Sequence, residues 1–195
     1  MTRLLSHFGL LAAVLTLAVA AHAASPGDMS LGNPKAPVTV IEYASIGCSH
    51  CGAWSREVFP EFKRRFIDTG RVRFVLREML TGDADVAAAG FLTARCAAPD
   101  KYFQVVDDVF AQQTQIGQEG IAALERIADH AGLTHDRFAA CLQDAAALKA
   151  LNERTQADAA AHGVTGTPTF FVGDQRLDGE QTLDDLDVAI ARAGH

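Results

Sequence analysis

Cys48-Ser49-His50-Cys51 sits where a buried strand hands over to a helix, and that junction constrains the fold more than any other feature of the 195 residues. Ahead of it, Val38-Thr39-Val40-Ile41-Glu42-Tyr43-Ala44 is a β-branched, mostly apolar run of strand length that follows Pro37. Behind it, Trp54, Val58, Phe59, Phe62, Phe66 and Ile67 recur at helical spacing, so a helix begins at about Cys48. Pro60 lies inside that helix and removes a backbone donor, which predicts a kink, and Thr69-Gly70 closes it. Arg71-Val72-Arg73-Phe74-Val75-Leu76 alternates at its start and reads as the next strand.

From Asp83 to about His162 the chain turns Ala-rich with helical periodicity, broken at Ala98-Pro99-Asp100, around Gly117 to Gly120, and at Gly132-Leu133-Thr134. Thr134 is placed as an N-cap, with Leu133 and Phe138 spaced as a hydrophobic staple. Thr169-Phe170-Phe171-Val172, Gly173-Asp174 and Gln175-Arg176-Leu177 then read as a hairpin, and Thr182 caps a final helix carrying Leu183, Leu186, Val188, Ala189 and Ile190. The order strand, helix, strand, helical block, hairpin, helix predicts an α/β fold. It is a mixed sheet covered by helices, with an all-helical block inserted on one edge.

The first residues are set aside from this reading. Arg3, the apolar run Phe8 to Ala21 and the small-x-small triplet Ala21-His22-Ala23 form a signal peptide over residues 1–23, and the run is too short to span a bilayer. Export to the periplasm follows, where thiols can be kept oxidised. The whole chain, half apolar and 21% charged, suits a soluble globular protein. Its 17 basic against 24 acidic side chains give a net charge of −7, which offers no footprint for nucleic acid.

C-x-x-C spacing also serves zinc, but a structural zinc site wants four ligands, and the sequence has neither a second C-x-x-C nor an H-x-x-x-H. A redox pair needs one sulfur exposed and stabilised as thiolate, which the free N–H groups and dipole of a helix start supply to Cys48. His50 is either a donor to that thiolate or a solvated loop histidine. A third reading gathers Cys48, His50 and Cys51 around Cu(I) as a copper-binding module. Trp54 reads as core packing, and His130, His135, His162 and His195, without metal spacing, as surface or helix-end residues. No cofactor is expected. Cys96 and Cys141 complete an even count, which favours a structural disulfide over two separate thiols.

Val164-Thr165-Gly166-Thr167-Pro168-Thr169 opens the hairpin with a proline in a tight turn. Together with the CSHC, the text from Gly32 to Ser45, the helical block and TGTPTFFVGDQRLDG from Thr165 to Gly179, it resembles the DsbA-like thiol:disulfide oxidoreductases of the thioredoxin superfamily, and most closely their alphaproteobacterial type. The resemblance implies a thioredoxin-like domain from residues 24–82 and 163–195 with a helical domain, 83–162, inserted. It makes Cys48 the attacking nucleophile, Cys51 the buried resolving thiol, Pro168 a cis-proline and Thr167 the residue that pairs with substrate. Glu42 would be the carboxylate beneath Cys51 that moves its proton, or else a solvent-facing strand residue. A disulfide in the helical domain, here Cys96 and Cys141, also occurs in that subgroup.

The activity implied is donation of the Cys48–Cys51 disulfide to reduced, unfolded polypeptides by a monomer, re-oxidised by a membrane partner resembling DsbB. An apolar groove around Pro168 would hold extended substrate weakly. Ser49, where many such oxidases have proline, and Thr167, shared with isomerases, leave a reductase or isomerase as the alternative. Against it, the stretch Ala24 to Pro37 is too short for the dimerisation module isomerases carry.

Overall fold

In a computed structural model of the chain, residue 25 and residues 27–194 are described; the predicted signal peptide, 1–23, and His195 lie outside them. Among these residues the sheet has five strands, ordered β1-β3-β2-β4-β5. At its centre β2, Val38–Ala44, pairs in parallel with β3, Val72–Glu78, because the helix between them returns the chain to the same end of the sheet. β4, Thr169–Val172, and β5, Gln175–Asp178, form the expected hairpin, with β4 antiparallel to β2.

Met29–Leu31 forms β1, antiparallel to β3 at the sheet edge, a strand that the sequence pattern does not predict. Three residues are too few to show a period of two. β3 also runs two residues beyond the predicted end, because Arg77 and Glu78 are buried and paired. Arg77 donates to the Tyr43 hydroxyl at 2.7 Å and pairs with Asp28 at 3.1 Å. Glu78 accepts from Arg95 at 2.6 Å, Arg154 at 2.7 Å and Tyr102 at 2.9 Å.

The predicted helix starts at the cysteines as α1, Ser49–Glu57, and breaks at Val58, two residues before Pro60, which has no N–H to bond the turn behind it. It resumes as α2, Phe59–Phe62, and widens into a π turn over Lys63–Ile67, where Asp68 N donates to Lys63 O at 2.9 Å. Between β3 and β4 lie α3, Ala84–Cys96, α4, Tyr102–Ala111, α5, Gln113–Glu119, α6, Ile121–His130, α7, His135–Leu142, and α8, Ala145–His162. Gly117 lies within α5, and the break falls at Gly120, whose φ of +60° favours glycine. A break the periodicity missed separates α7 from α8, where Asp144 accepts from the backbone of Ala146 and Ala147. Thr134 caps α7 through Arg137 N, with Leu133 and Phe138 buried as the staple.

Cys96, at the end of α3, and Cys141, in α7, form a disulfide with Cα atoms 6.2 Å apart. α9, Leu183–Ala193, starts with a reciprocal capping box between Thr182 and Asp185, a motif in which the cap is worth about 1 kcal/mol. Trp54 fixes α1 to the sheet. Its ring lies 4.8 Å from that of Phe170, it packs on Phe59, Phe62 and Phe74, and its indole N–H donates to Gln181 O at 3.1 Å. Core packing is therefore its role.

Candidate redox site

β2 ends at Ala44, and the turn Ser45-Ile46-Gly47 delivers Cys48 to the N-cap of α1, in extended conformation at φ −98°, ψ 124°. Cys48 N donates to Ser45 O at 3.0 Å, and Gly47 N to Ser45 Oγ at 3.2 Å. Gly47 is required by proximity: a Cβ there would lie 2.2 Å from the backbone oxygen of Asp83. From the helical block, Gln113 Nε2 donates to both Ile46 O, at 3.0 Å, and Cys48 O, at 2.9 Å, holding the turn from outside.

The two thiols are free and inequivalent. Cys48 falls from its ordinary value of 9.0 to about 5. The Cys51 thiol donating to it is the largest cause; the Thr167 side chain and the backbone N–H groups of Cys51 and His50 add to it, against the opposing effect of burial. These N–H groups are the unpaired donors of the first helical turn. Cys51 has no exposed surface, and its thiol is pushed well up, first by the bond to Cys48, then by burial and the nearby Glu42 carboxylate. Across the site the Thr167–Pro168 peptide is cis, and Thr167 O lies 3.5 Å from Cys48 Sγ. Cys48, Cys51, Thr167 and Pro168 are thus brought together.

Glu42 is buried, at 2% exposure, which removes the solvent-facing alternative. Its carboxyl is held well above the usual range, mainly by burial and then by the negative charge of Asp107 and Cys48. Its Oε1 has no hydrogen-bond partner and borders a cavity of about 10 Å³ beneath Trp54, room for roughly one water.

Of the two readings of His50, the structure shows the exposed one. Its Nδ1 bonds Glu180 Oε1 at 2.5 Å, and the ring is exposed, so the direct bonds to Cys48 come from backbone and Thr167. What remains between them is charge: Glu180 first, and then anionic Cys48, raise the His50 pKa. The copper set is likewise not gathered. Among the described residues no group of three or more His, Cys, Asp or Glu side chains is placed to hold a metal, since His50 turns outward while Cys51 is buried beneath.

His130 and His135 are exposed beside Asp108 and Glu125, and His162 takes the helix-end position, as the last residue of α8, with its Nδ1 2.8 Å from the Tyr43 hydroxyl. A cleft of about 410 Å³ beside Cys48 has a mixed wall, with Ile46, Val86 and Ala111 next to Arg56 and Asp83.

The family model described as Thioredoxin matches residues 24–192. The chain belongs to the thioredoxin family. Within that family it is DsbA-like: the crystal structure of Wolbachia pipientis alpha-DsbA1 superimposes with a TM-score of 0.79 at 27% identity, covering 88% of this chain and 92% of that one. A Rickettsia felis protein carrying the name "Putative protein-disulfide oxidoreductase" is 31% identical over 169 residues, 85% of this chain. The DsbA-like chain spans 60% of that relative's length. A protein-disulfide isomerase from Novosphingobium aromaticivorans, at 21% identity and TM-score 0.70 over 87% of this chain and 98% of that one, shares the fold.

Three residues of this DsbA-like site escaped the sequence reading: Gln113, Glu180 and Thr81, whose Oγ1 lies 2.6 Å from Thr167 Oγ1. Each comes from a segment distant in sequence and carries no spacing signal. Only the thioredoxin fold puts them beside the cysteines.

Proposed function

We propose that the protein donates the Cys48–Cys51 disulfide to reduced, unfolded polypeptides, as a thiol:disulfide oxidoreductase of the periplasm. The observation that carries this reading is the opposed pair of thiols, Cys48 pulled down to about 5 and Cys51 pushed up, at one helix start. A stabilised Cys48 thiolate favours the reduced protein, and that makes its disulfide the stronger oxidant.

A substrate thiolate attacks Cys48 Sγ, the Cys48–Cys51 bond breaks, and Cys51 leaves with the electron pair. Cys51 holds its proton tightly, and Glu42, whose raised value keeps its carboxyl protonated over a wider pH range, is the nearby donor. A second substrate thiolate then attacks the substrate sulfur of the mixed disulfide and expels Cys48 as thiolate. Two substrate thiols become one disulfide, and the protein keeps the two electrons. Thr167, whose bond to Pro168 is cis, lies against Cys48 and pairs with the incoming chain.

The rest of the reading follows from this one. Residues 1–23 act as the export signal, residues 83–162 as a helical domain inserted in the thioredoxin-like part, and a membrane partner resembling DsbB takes the electrons from a monomer. Among the described residues no helix is long and apolar enough to cross a membrane. Oxidised protein mixed with a reduced, unfolded test polypeptide should form disulfides in one stoichiometric turnover. Cys48→Ala should be inert, and Cys51→Ala, loaded as a mixed disulfide on Cys48, should still pass its partner on to a substrate thiol. Transfer by Cys48→Ala would overturn the assignment.

A further inference from the structure

Glu42 lies within β2, in register with Leu76 of β3 on one side and Phe170 of β4 on the other, so its strand neighbours offer it no polar side chain. Its unpartnered Oε1 instead borders the cavity beneath Trp54. That cavity is walled mainly by apolar side chains, Phe59, Phe103 and Phe110 among them, and besides Glu42 the only other ionisable residue lining it is Asp107. Asp107 comes from α4 of the helical block and, unlike Glu42, is exposed. A buried carboxyl and an exposed one therefore share a cavity with room for roughly one water, a space that one bridging molecule can fill.

We propose that Asp107 is the proton-exchange residue of the redox site and acts through Glu42: across the cavity they share, it passes protons between Glu42 and solvent. Breaking the disulfide puts a proton on Cys51, and re-forming it takes that proton off. Cys51 has no exposed surface, so the proton travels by way of Glu42. Having given its proton, Glu42 is left as an anion in apolar surroundings, which disfavour the charge, and it must be refilled from outside. Asp107 gives it a proton and takes another from solvent. On re-oxidation the same proton runs outward from Cys51 to Glu42 to Asp107. The charged groups acting on Asp107 are Asp108 beside it and Lys63 on the π turn, and those acting on Glu42 are Asp107 itself and Cys48. Burial of its carboxyl, and then Asp108, raise Asp107 from 3.8 to about 6 against the pull of Lys63, so it can both hold and release a proton near neutral pH.

The inference rests on reading Glu42 as the proton carrier of Cys51, and two readouts keep them apart. In the reduced full chain the protonated Glu42 carboxyl is followed by its infrared C=O stretch, assigned by its loss in Glu42→Gln, after transfer into heavy water at about pH 6. Asp107→Asn, which keeps the shape and removes the acid, should slow deuterium exchange at Glu42 by about tenfold or more, and Asp107→Glu should restore it. Loss of a negative charge alone would loosen the Glu42 proton and leave exchange as fast or faster, so either of those results would overturn the relay. The second readout is closure of the Cys48–Cys51 bond from a Cys48–glutathione mixed disulfide, a step in which Cys51 loses its proton. Asp107→Asn should slow it, and should add nothing to Glu42→Gln. Equal slowing in both backgrounds would show Asp107 acting other than through Glu42 and refute the proposal. Closure unchanged by Glu42→Gln would overturn the reading of Glu42 itself, and with it the part of the relay in the reaction.

Discussion

Between about pH 5 and pH 9, the unfolding free energy of the reduced protein rises relative to that of the oxidised protein by about 1.4 kcal/mol for each pH unit. The sign follows from Cys48. In the native reduced protein it loses its proton near 5, while in the unfolded chain it keeps it to 9.0. Over that window the unfolded state holds one more proton, so stability grows with pH and is lost as pH falls through 5. In the oxidised protein neither cysteine titrates, and the two forms share nearly every other ionisable group, so the difference isolates the active-site thiols. Glu42 and His50, which feel the Cys48 charge, are the groups that make the cancellation incomplete. Above 9.0 the sign reverses, because Cys51 then ionises in the unfolded chain and stays protonated in the native one. Urea unfolding of both forms across pH reads this directly. A difference flat with pH would mean that the native site does not stabilise the Cys48 thiolate.

Replacing Cys96 and Cys141 together by Ala costs about 4 kcal/mol of stability and leaves the Cys48–Cys51 redox equilibrium where it was. The magnitude comes from the separation of 45 residues closed by the bond, which restricts the unfolded chain. The indifference of the redox site follows from where the bond lies. It ties α3 to α7, and the groups that act most on Cys48 sit on α1 and at Thr167. Denaturant midpoints and a glutathione titration of the same double variant give both readouts. A loss below about 1 kcal/mol would show that the cross-link constrains little, and a shifted equilibrium would show that the helical block reaches the cysteines through α3 and α7.

The fold was legible in the sequence wherever burial and periodicity agreed. β2, the start at Cys48, the hairpin and the final helix follow from apolar patterns bounded by caps and glycines, and they lie where those patterns put them. Arg77 and Glu78 broke the pattern because their charges are buried in pairs with Asp28, Arg95 and Arg154, partners that adjoin only after folding. The same reason hid Thr81 and Gln113 from the site. His50 was open between a contact with the thiolate and a solvated position, because adjacency to the cysteines does not set the direction of the ring; it is exposed, and Glu180, 130 positions along the chain, holds it. Cys48, Cys51 and Pro168 were legible because spacing and turn chemistry constrain them locally. Glu42 was ambiguous, since a strand alternates and sequence does not show which faces are covered.

The most direct measurement is the equilibrium of Cys48 and Cys51 against defined ratios of reduced and oxidised glutathione. With Cys48 at about 5 and Cys51 pushed up, the account predicts a potential well above thioredoxin's, which is about −270 mV, so that the disulfide flows outward to substrates. A potential near that of thioredoxin would contradict it and make the protein a reductant or isomerase instead.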